Sequence, residues 1–314
     1  MLHILQNQSM ISLNNNELPL VTVFTLIYNT NPEFVIQAIE SIRAQTYPNI
    51  QHIIIDDFST KADSREAVRQ WVFDNKYDCL FVEHKQNYGL CRTLNHVIEL
   101  AKGEYIVGCS DDLLLENTLE KQIEFILKYN IRIAFCSVEL FGNIEKKEIR
   151  PAGAFVKGFN SLSNFDQFGL VCQANFIPAI GVVVSKSIFK DYGLYDENLR
   201  FEDYDLWLRV LRREKIMFND MLLARYRVHE LSLSSVFRDW DSDYLHIYSK
   251  HLDFSDCAKS KIEAIAISAY RNNRTDILEK VFLHKAYSFR LRLLYAFCKL
   301  KVPVWLGYRI LWRL

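Results

Sequence analysis

VTVFTLIYNTNPEFVIQAIESIRAQTYPNIQHIIIDDFSTKADS, residues 21–64, decides the fold. Its two apolar runs, extended by one residue as LVTVFTLI (20–27) and IQHIIID (50–56), are too continuous for strands with one wet face, so both faces must be covered. Between them Asn31 can cap a helix, Pro32 suits its first turn, and Val35, Ala38, Ile39 and Ile42 recur on one side. A strand, a crossover helix and a second strand make a parallel pair.

The pattern continues outward. CLFVE (79–83), EYIVGC (104–109), IRIAFCSVELF (131–141) and IGVVVS (180–185) read as further strands. Leu94, Val97, Ile98 and Ala101 have helical spacing, and Asn117, with Glu120 three residues on, is expected to cap a helix bearing Leu119, Ile123 and Ile126. The expectation is an α/β fold, a mostly parallel Rossmann-like sheet flanked by helices. Beyond about Phe201 the chain reads as almost wholly helical, without a linker or internal repeat. This gives an N-terminal extension over 1–19, a catalytic domain over 20–240 and a helical C-terminal appendage over 241–314.

Composition narrows the class. Among 314 residues, 38 basic and 38 acidic side chains cancel, which argues against a nucleic-acid partner, because binding phosphate backbones takes a basic excess. The seven cysteines are scattered and contain no C-x-x-C pair, so a reduced, cytoplasmic chain without a disulfide framework or structural zinc is expected. The first twenty residues show no secretory signal, and no uncharged apolar run approaches the roughly 20 residues of a membrane span. Charge is nevertheless uneven. Val281 to Leu314 carries Lys285, Arg290, Arg292, Lys299, Lys301, Arg309 and Arg313 and no acid. The stretch 285–314 therefore reads as an interfacial element on the inner face of the cytoplasmic membrane, or as helices packing on the catalytic domain or on a second copy in a homodimer.

In an open α/β sheet, ligands bind beyond the carboxyl ends of the strands. Those ends carry Tyr28-Asn29, Asp56-Asp57 and Ser110-Asp111-Asp112. Adjacent carboxylates repel unless a cation lies near, and Mg²⁺ or Mn²⁺ takes one or two carboxylates together with substrate phosphates. No G-x-G-x-x-G and no P-loop occurs, so a diphosphate would need a metal rather than a glycine cradle.

The 21–64 stretch resembles the opening of family 2 glycosyltransferases, with Tyr-Asn after the first strand and an Asp-Asp-x-Ser turn after the second. NYGLCRTLNHVIELAKGEYIVGCSDD (87–112), DYGLYDENLRFEDYDLWLRV (191–210) and YRVHELSLS (226–234) are similar to that family's later motifs, in order. Two positions depart from the pattern. The usual Gly of Asp-Asp-Gly-Ser is Phe58, which fits if the turn does not need positive φ, and the usual first acid of Asp-Ser-Asp-Asp is Cys109.

The resemblance implies a GT-A fold and inverting transfer of a sugar from a nucleotide-diphosphate donor, UDP-linked, to a hydroxyl of a glycan or lipid-linked acceptor in bacterial surface-polysaccharide synthesis. It gives Asp56 and Asp57 to nucleotide recognition, with Thr25, Tyr28 and Asn29 beside them, and Tyr28 either stacking on the base or serving as core. Asn87 and Gly89 belong to the same donor segment. Arg92 reads as either a diphosphate ligand or a solvated helix arginine. Asp112 is favoured for Mn²⁺ or Mg²⁺, and Asp111 for ribose or the metal. His229 is a ligand or an ordinary surface histidine. Asp203, preceded by Glu202, is the general base, against the plain alternative of acidic helix capping. Two rivals remain: a sugar-1-phosphate nucleotidyltransferase, whose glycine-rich loop is missing, and an inactive carbohydrate-binding or scaffold subunit.

Overall fold

The computed structural model describes residues 18–230, 240–283, 289–303 and 306–307. The first half alternates β1 (Val21–Ile27), α1 (Pro32–Arg43), β2 (Ile50–Asp56), α2 (Ala62–Asp74), β3 (Leu80–Glu83), α3 (Leu90–Leu100) and β4 (Tyr105–Gly108). A short β5 (Leu113–Leu114) precedes α4 (Thr118–Tyr129), β6 (Ile133–Gly142), β7 (Ile149–Arg150), α5 (Gly153–Val156), α6 (Asn164–Gln173), β8 (Val183–Ser185), α7 (Ser187–Tyr192), α8 (Asp203–Leu211) and β9 (Met217–Val228). Helices α9 (Asp241–Ser249), α10 (Asp256–Arg271), α11 (Thr275–Leu283) and α12 (Phe289–Lys299) follow.

The sheet runs β3-β2-β1-β4-β8-β6-β9-β5, with β7 on the side of β6. Strands β3, β2, β1 and β4 are parallel, so their carboxyl ends share one edge. The other half is mixed: β8 runs antiparallel to β4 and β6, whereas β9 is parallel to β6. Alternation along β2 builds both layers. Ile54 packs with Val35, Ile39 and Val68 of α1 and α2, while Ile53 and Ile55 pack with Val97 of α3. Each such fully buried aliphatic contributes about 1.5–3 kcal/mol. The larger core joins Cys91, Phe168, Tyr204, Trp207, Leu245 and Ile262, so the C-terminal helices close over the α3 side.

Two expectations are corrected here, and one open alternative is narrowed. MFNDMLLARYRV (217–228) is a long strand, not a helix; its bulge near Cys136–Val138 breaks the period of two that would mark it. Asn117 makes no side-chain cap, because its φ of −106° and ψ of 16° lie outside the extended region a cap needs. Asn31, by contrast, accepts from the Glu33 N–H at 2.9 Å as expected. Finally, α12 buries Leu291, Leu294 and Cys298 against the helical core, so part of the basic tail is packed on the protein itself.

Candidate active site

The ends of β1 and β2 are stitched together. Asn29, at φ 53°, accepts through Oδ1 from the N–H groups of Thr60 and Lys61, both at 2.9 Å, and its own N–H donates to Ser59 Oγ. Asp56 is fully buried. Its Oδ2 accepts from the Ser59 N–H at 3.0 Å, while its Oδ1 has no hydrogen-bond partner. Asp57 is spent on the loop before α3, accepting from the N–H groups of Tyr88 and Gly89 (2.9 Å each) and lying 2.8 Å from His84 Nδ1. Gly89 has φ 83°, a conformation open to glycine, which aims its N–H at Asp57. Asn87 is exposed on that loop.

The turn after β2 does need positive φ: Phe58 sits at 63°. A side chain there costs about 1–2 kcal/mol, so the condition under which Phe58 would fit without strain is not met. Thr25 also departs from expectation. It is fully buried, donates to the Cys109 carbonyl at 2.6 Å and lies 3.0 Å from His52 Nε2, so its hydroxyl is committed to tying β1 to its neighbours. Tyr28 is half exposed rather than core.

Beyond β4, Cys109 is buried, with its thiol 3.4 Å from the Asp112 carbonyl; burial pushes that thiol up, so it is no replacement for a carboxylate. Asp111 and Asp112 lead into β5, not into a helix, so neither serves as a helix cap. Asp111 Oδ2 lies 2.8 Å from His229 Nε2. Asp112 Oδ1 accepts from the Arg227 N–H at 2.7 Å. Burial and the Asp111 charge raise the Asp112 carboxyl well above the usual range, partly offset by Arg227.

Arg227 is a residue the sequence reading missed. Its Nε donates to the Asp111 carbonyl (2.6 Å) and its Nη2 to Gln37 Oε1 (2.7 Å), with the guanidinium 4.1 Å from the Phe34 ring centre and 4.4 Å from that of Phe141. No local signal marked it, because what Arg227 binds lies 116 residues away in sequence.

The acids fit a divalent cation. Two ligands about 2.1 Å from one ion and near a right angle stand close to 3 Å apart, as Asp111 and His229 do. Among the described residues no group of three or more His, Cys, Asp or Glu converges, so this pair would leave the other positions to phosphate oxygens.

The second acid pair opens α8. Asp203 Oδ1 accepts from the Tyr204 N–H at 2.7 Å and Oδ2 from Asn175 Nδ2 at 3.2 Å. Glu202 makes no side-chain cap, whereas Asp203 accepts from a first-turn N–H of α8. Burial raises the Asp203 carboxyl, with Asn175 pulling the other way; burial and Asp203 push Glu202 up to about 8. Both line a cavity of about 50 Å³ with Phe24 of β1 and Gly108, the last residue of β4. The α8 base candidate thus adjoins β4, which ends three residues before Asp111. Asp205 is instead buried between Lys250 Nζ (2.7 Å) and Arg209 Nε (2.8 Å). Arg209 also donates to the carbonyls of Gly193 and Leu194, fixing the loop before α8.

Arg92 is not brought to the acids. It is exposed, stacks 4.7 Å from the Tyr88 ring centre, and lines a cleft of about 760 Å³ along α3 with Glu83, His96 and Glu197.

A model of glycosyl transferase family 2 matches residues 22–192. An uncharacterized glycosyltransferase of Rickettsia typhi is 30% identical over 247 residues, covering 76% of this chain and 73% of that protein. The putative teichuronic acid biosynthesis glycosyltransferase TuaG of Bacillus subtilis is 26% identical over 69% of this chain and 82% of its own. Among solved structures, S. aureus TarS 1-349 in complex with UDP-GlcNAc superposes with a TM-score of 0.62 at 16% identity, covering 90% of this chain and 88% of that one.

Proposed function

Since the chain belongs to glycosyl transferase family 2, we propose that it is a metal-dependent, inverting glycosyltransferase using a UDP-linked sugar, with a glycan or lipid-linked oligosaccharide as acceptor in surface-polysaccharide assembly. One observation carries this reading: Asp203 and Glu202 share a cavity with the end of β4, three residues before Asp111. A base therefore stands beside the place where a diphosphate would be held. TuaG, by its name, and TarS, by its bound UDP-GlcNAc, support the polysaccharide setting and the uridine donor.

Asp203 takes the proton from the acceptor hydroxyl as that oxygen attacks the anomeric carbon. Burial and the Asp203 charge push the Glu202 carboxyl up, which favours keeping the negative charge of the pair on Asp203. Asn175 and the α8 N-terminus hold that charge. With one base and no enzyme nucleophile, the displacement is single and inverts the anomeric centre. Asp111 and His229 would hold Mn²⁺ or Mg²⁺, which when bound supplies positive charge to the departing diphosphate, while Asp112, favoured for the metal in sequence, has one oxygen committed to the Arg227 N–H. Arg227, committed to Asp111 and Gln37, positions these acids. Asp56 Oδ1 is the buried acceptor left for a base N–H.

The basic tail rests at a membrane surface. Leu300, 75% exposed, and Leu306, 37% exposed, are its described apolar contacts, while Lys285, Arg309 and Arg313 lie outside the described residues. Among the described residues no helix is long and apolar enough to cross a membrane.

The test is a panel of nucleotide sugars scored for release of nucleoside diphosphate with and without EDTA. Turnover that persists undiminished in EDTA would remove the metal from this reading.

A further inference from the structure

We infer that Phe58 is a wall of the donor-base pocket, facing Tyr28 across it, so that the nucleobase is held between two aromatic side chains. The inference rests on the donor-site reading above and deepens it.

Three independent observations meet at the ends of β1 and β2. Phe58 adopts φ 63°, where a bulky side chain is rare and glycine is the easy choice. Its ring is 41% exposed, so no packing gain in the core compensates for that backbone. Strain retained without a folding benefit points to use by a ligand. Next, Tyr28 is 50% exposed on the adjacent strand end. The two backbones are locked in register: the Asp57 N–H donates to the Ile27 carbonyl at 2.8 Å, and the Asn29 N–H to Ser59 Oγ at 2.9 Å. Tyr28 and Phe58 are thus the residues flanked by these ties, on neighbouring turns. Last, Asp56, two residues before Phe58, buries an oxygen with no partner at the same strand end. A buried orphan acceptor is costly unless a donor arrives, and a nucleobase brings both an N–H for that oxygen and a π-face for the rings.

The position explains why a ring here is worth its backbone. A glycine would leave the turn relaxed and one face of the base open to water. A phenylalanine gives up backbone comfort for a hydrophobic, sequence-tolerant surface, since every base has a π-face.

The experiment measures binding of UDP, GDP and inorganic pyrophosphate, each with Mn²⁺, by calorimetry on the full chain. Phe58→Gly should weaken UDP and GDP about 5- to 30-fold, leave pyrophosphate unchanged, and raise Tm by roughly 1–3 °C as the φ strain is relieved. Phe58→Tyr should keep nucleotide affinity. Opposite signs for stability and affinity cannot come from a merely structural side chain. If Phe58→Gly binds UDP and GDP as the parent does while Asp56→Asn loses them, Phe58 is no wall and the donor site stands. If neither variant changes nucleotide binding, the donor-site reading itself fails, and this inference with it.

Discussion

Asp111-Asp112 follows a strand beside a histidine and an arginine, whereas Glu202-Asp203 opens a helix among amides and apolar side chains. Around the first pair stand His229 at 2.8 Å and Arg227, whose backbone and guanidinium both bind it. Around the second the stabilisers of Asp203 are an asparagine amide and a helical N–H. Two short acidic dipeptides therefore acquire different tasks from their surroundings. Carboxylates pre-arranged beside a histidine are suited to a cation, and carboxylates desolvated beside each other are suited to holding one proton and accepting another.

That contrast can be broken most severely at Asp203. Asp203→Asn keeps the shape and the Tyr204 contact, and should lower turnover by roughly 10²–10⁴ while donor affinity survives. Equal turnover would return Asp203 to a structural role. At the other pair, His229→Ala and Asp111→Asn should each weaken Mn²⁺ binding by about 10- to 100-fold or more, read by electron paramagnetic resonance titration. An unchanged titration would make the 2.8 Å pairing an ordinary ion pair. Asp203→Asn should leave Mn²⁺ affinity unchanged, and a crossover of effects would erase the distinction.

A finer probe is Asn175→Ala. Asp203 works only when ionised, burial already raises its carboxyl, and the Asn175 N–H favours the charged form. Removing that donor raises the carboxyl further. The acid limb of kcat/KM should move to higher pH, costing about 10-fold at the acid end and little on the alkaline plateau. A uniform loss at all pH values would point to misplaced structure instead. The smallest effect is expected from the tail: Arg309→Glu with Arg313→Glu should reduce co-sedimentation with anionic vesicles by about 1 kcal/mol per cation at low salt, and a binding level equal to the parent's would sink the surface reading.

The legibility of these features follows their range in sequence. The parallel half of the sheet was readable because each strand and its helix are local and their apolar periods are unbroken, as in Val35, Ala38, Ile39 and Ile42. β9 was not, because its bulge interrupts the period and its partner β6 is some eighty residues away. Asp111, Asp112 and Asp203 announce themselves as paired acids near element ends. Arg227 and Asn175 do not, since what makes them matter is a contact 116 or 28 residues distant. The positive φ at Phe58 was hidden for a different reason: glycine is the usual sign of such a turn, and that sign is absent.

Lys250 bears on where this protein can be divided. It lies in the segment after 240, yet its ammonium bridges Asp205 inside the catalytic helix and Asp196 in the loop before it, at 2.7 and 2.6 Å. Asp243, from the same segment, binds both the backbone and the guanidinium of Arg200. A cut at 240 would strip Asp205, completely buried, of one of its two cations. Breaking such a pair costs up to about 3–5 kcal/mol, a large fraction of a domain's stability of about 5–15 kcal/mol. The catalytic unit therefore ends after α9 at the earliest, and a soluble fragment for crystallisation or engineering should be chosen on that footing.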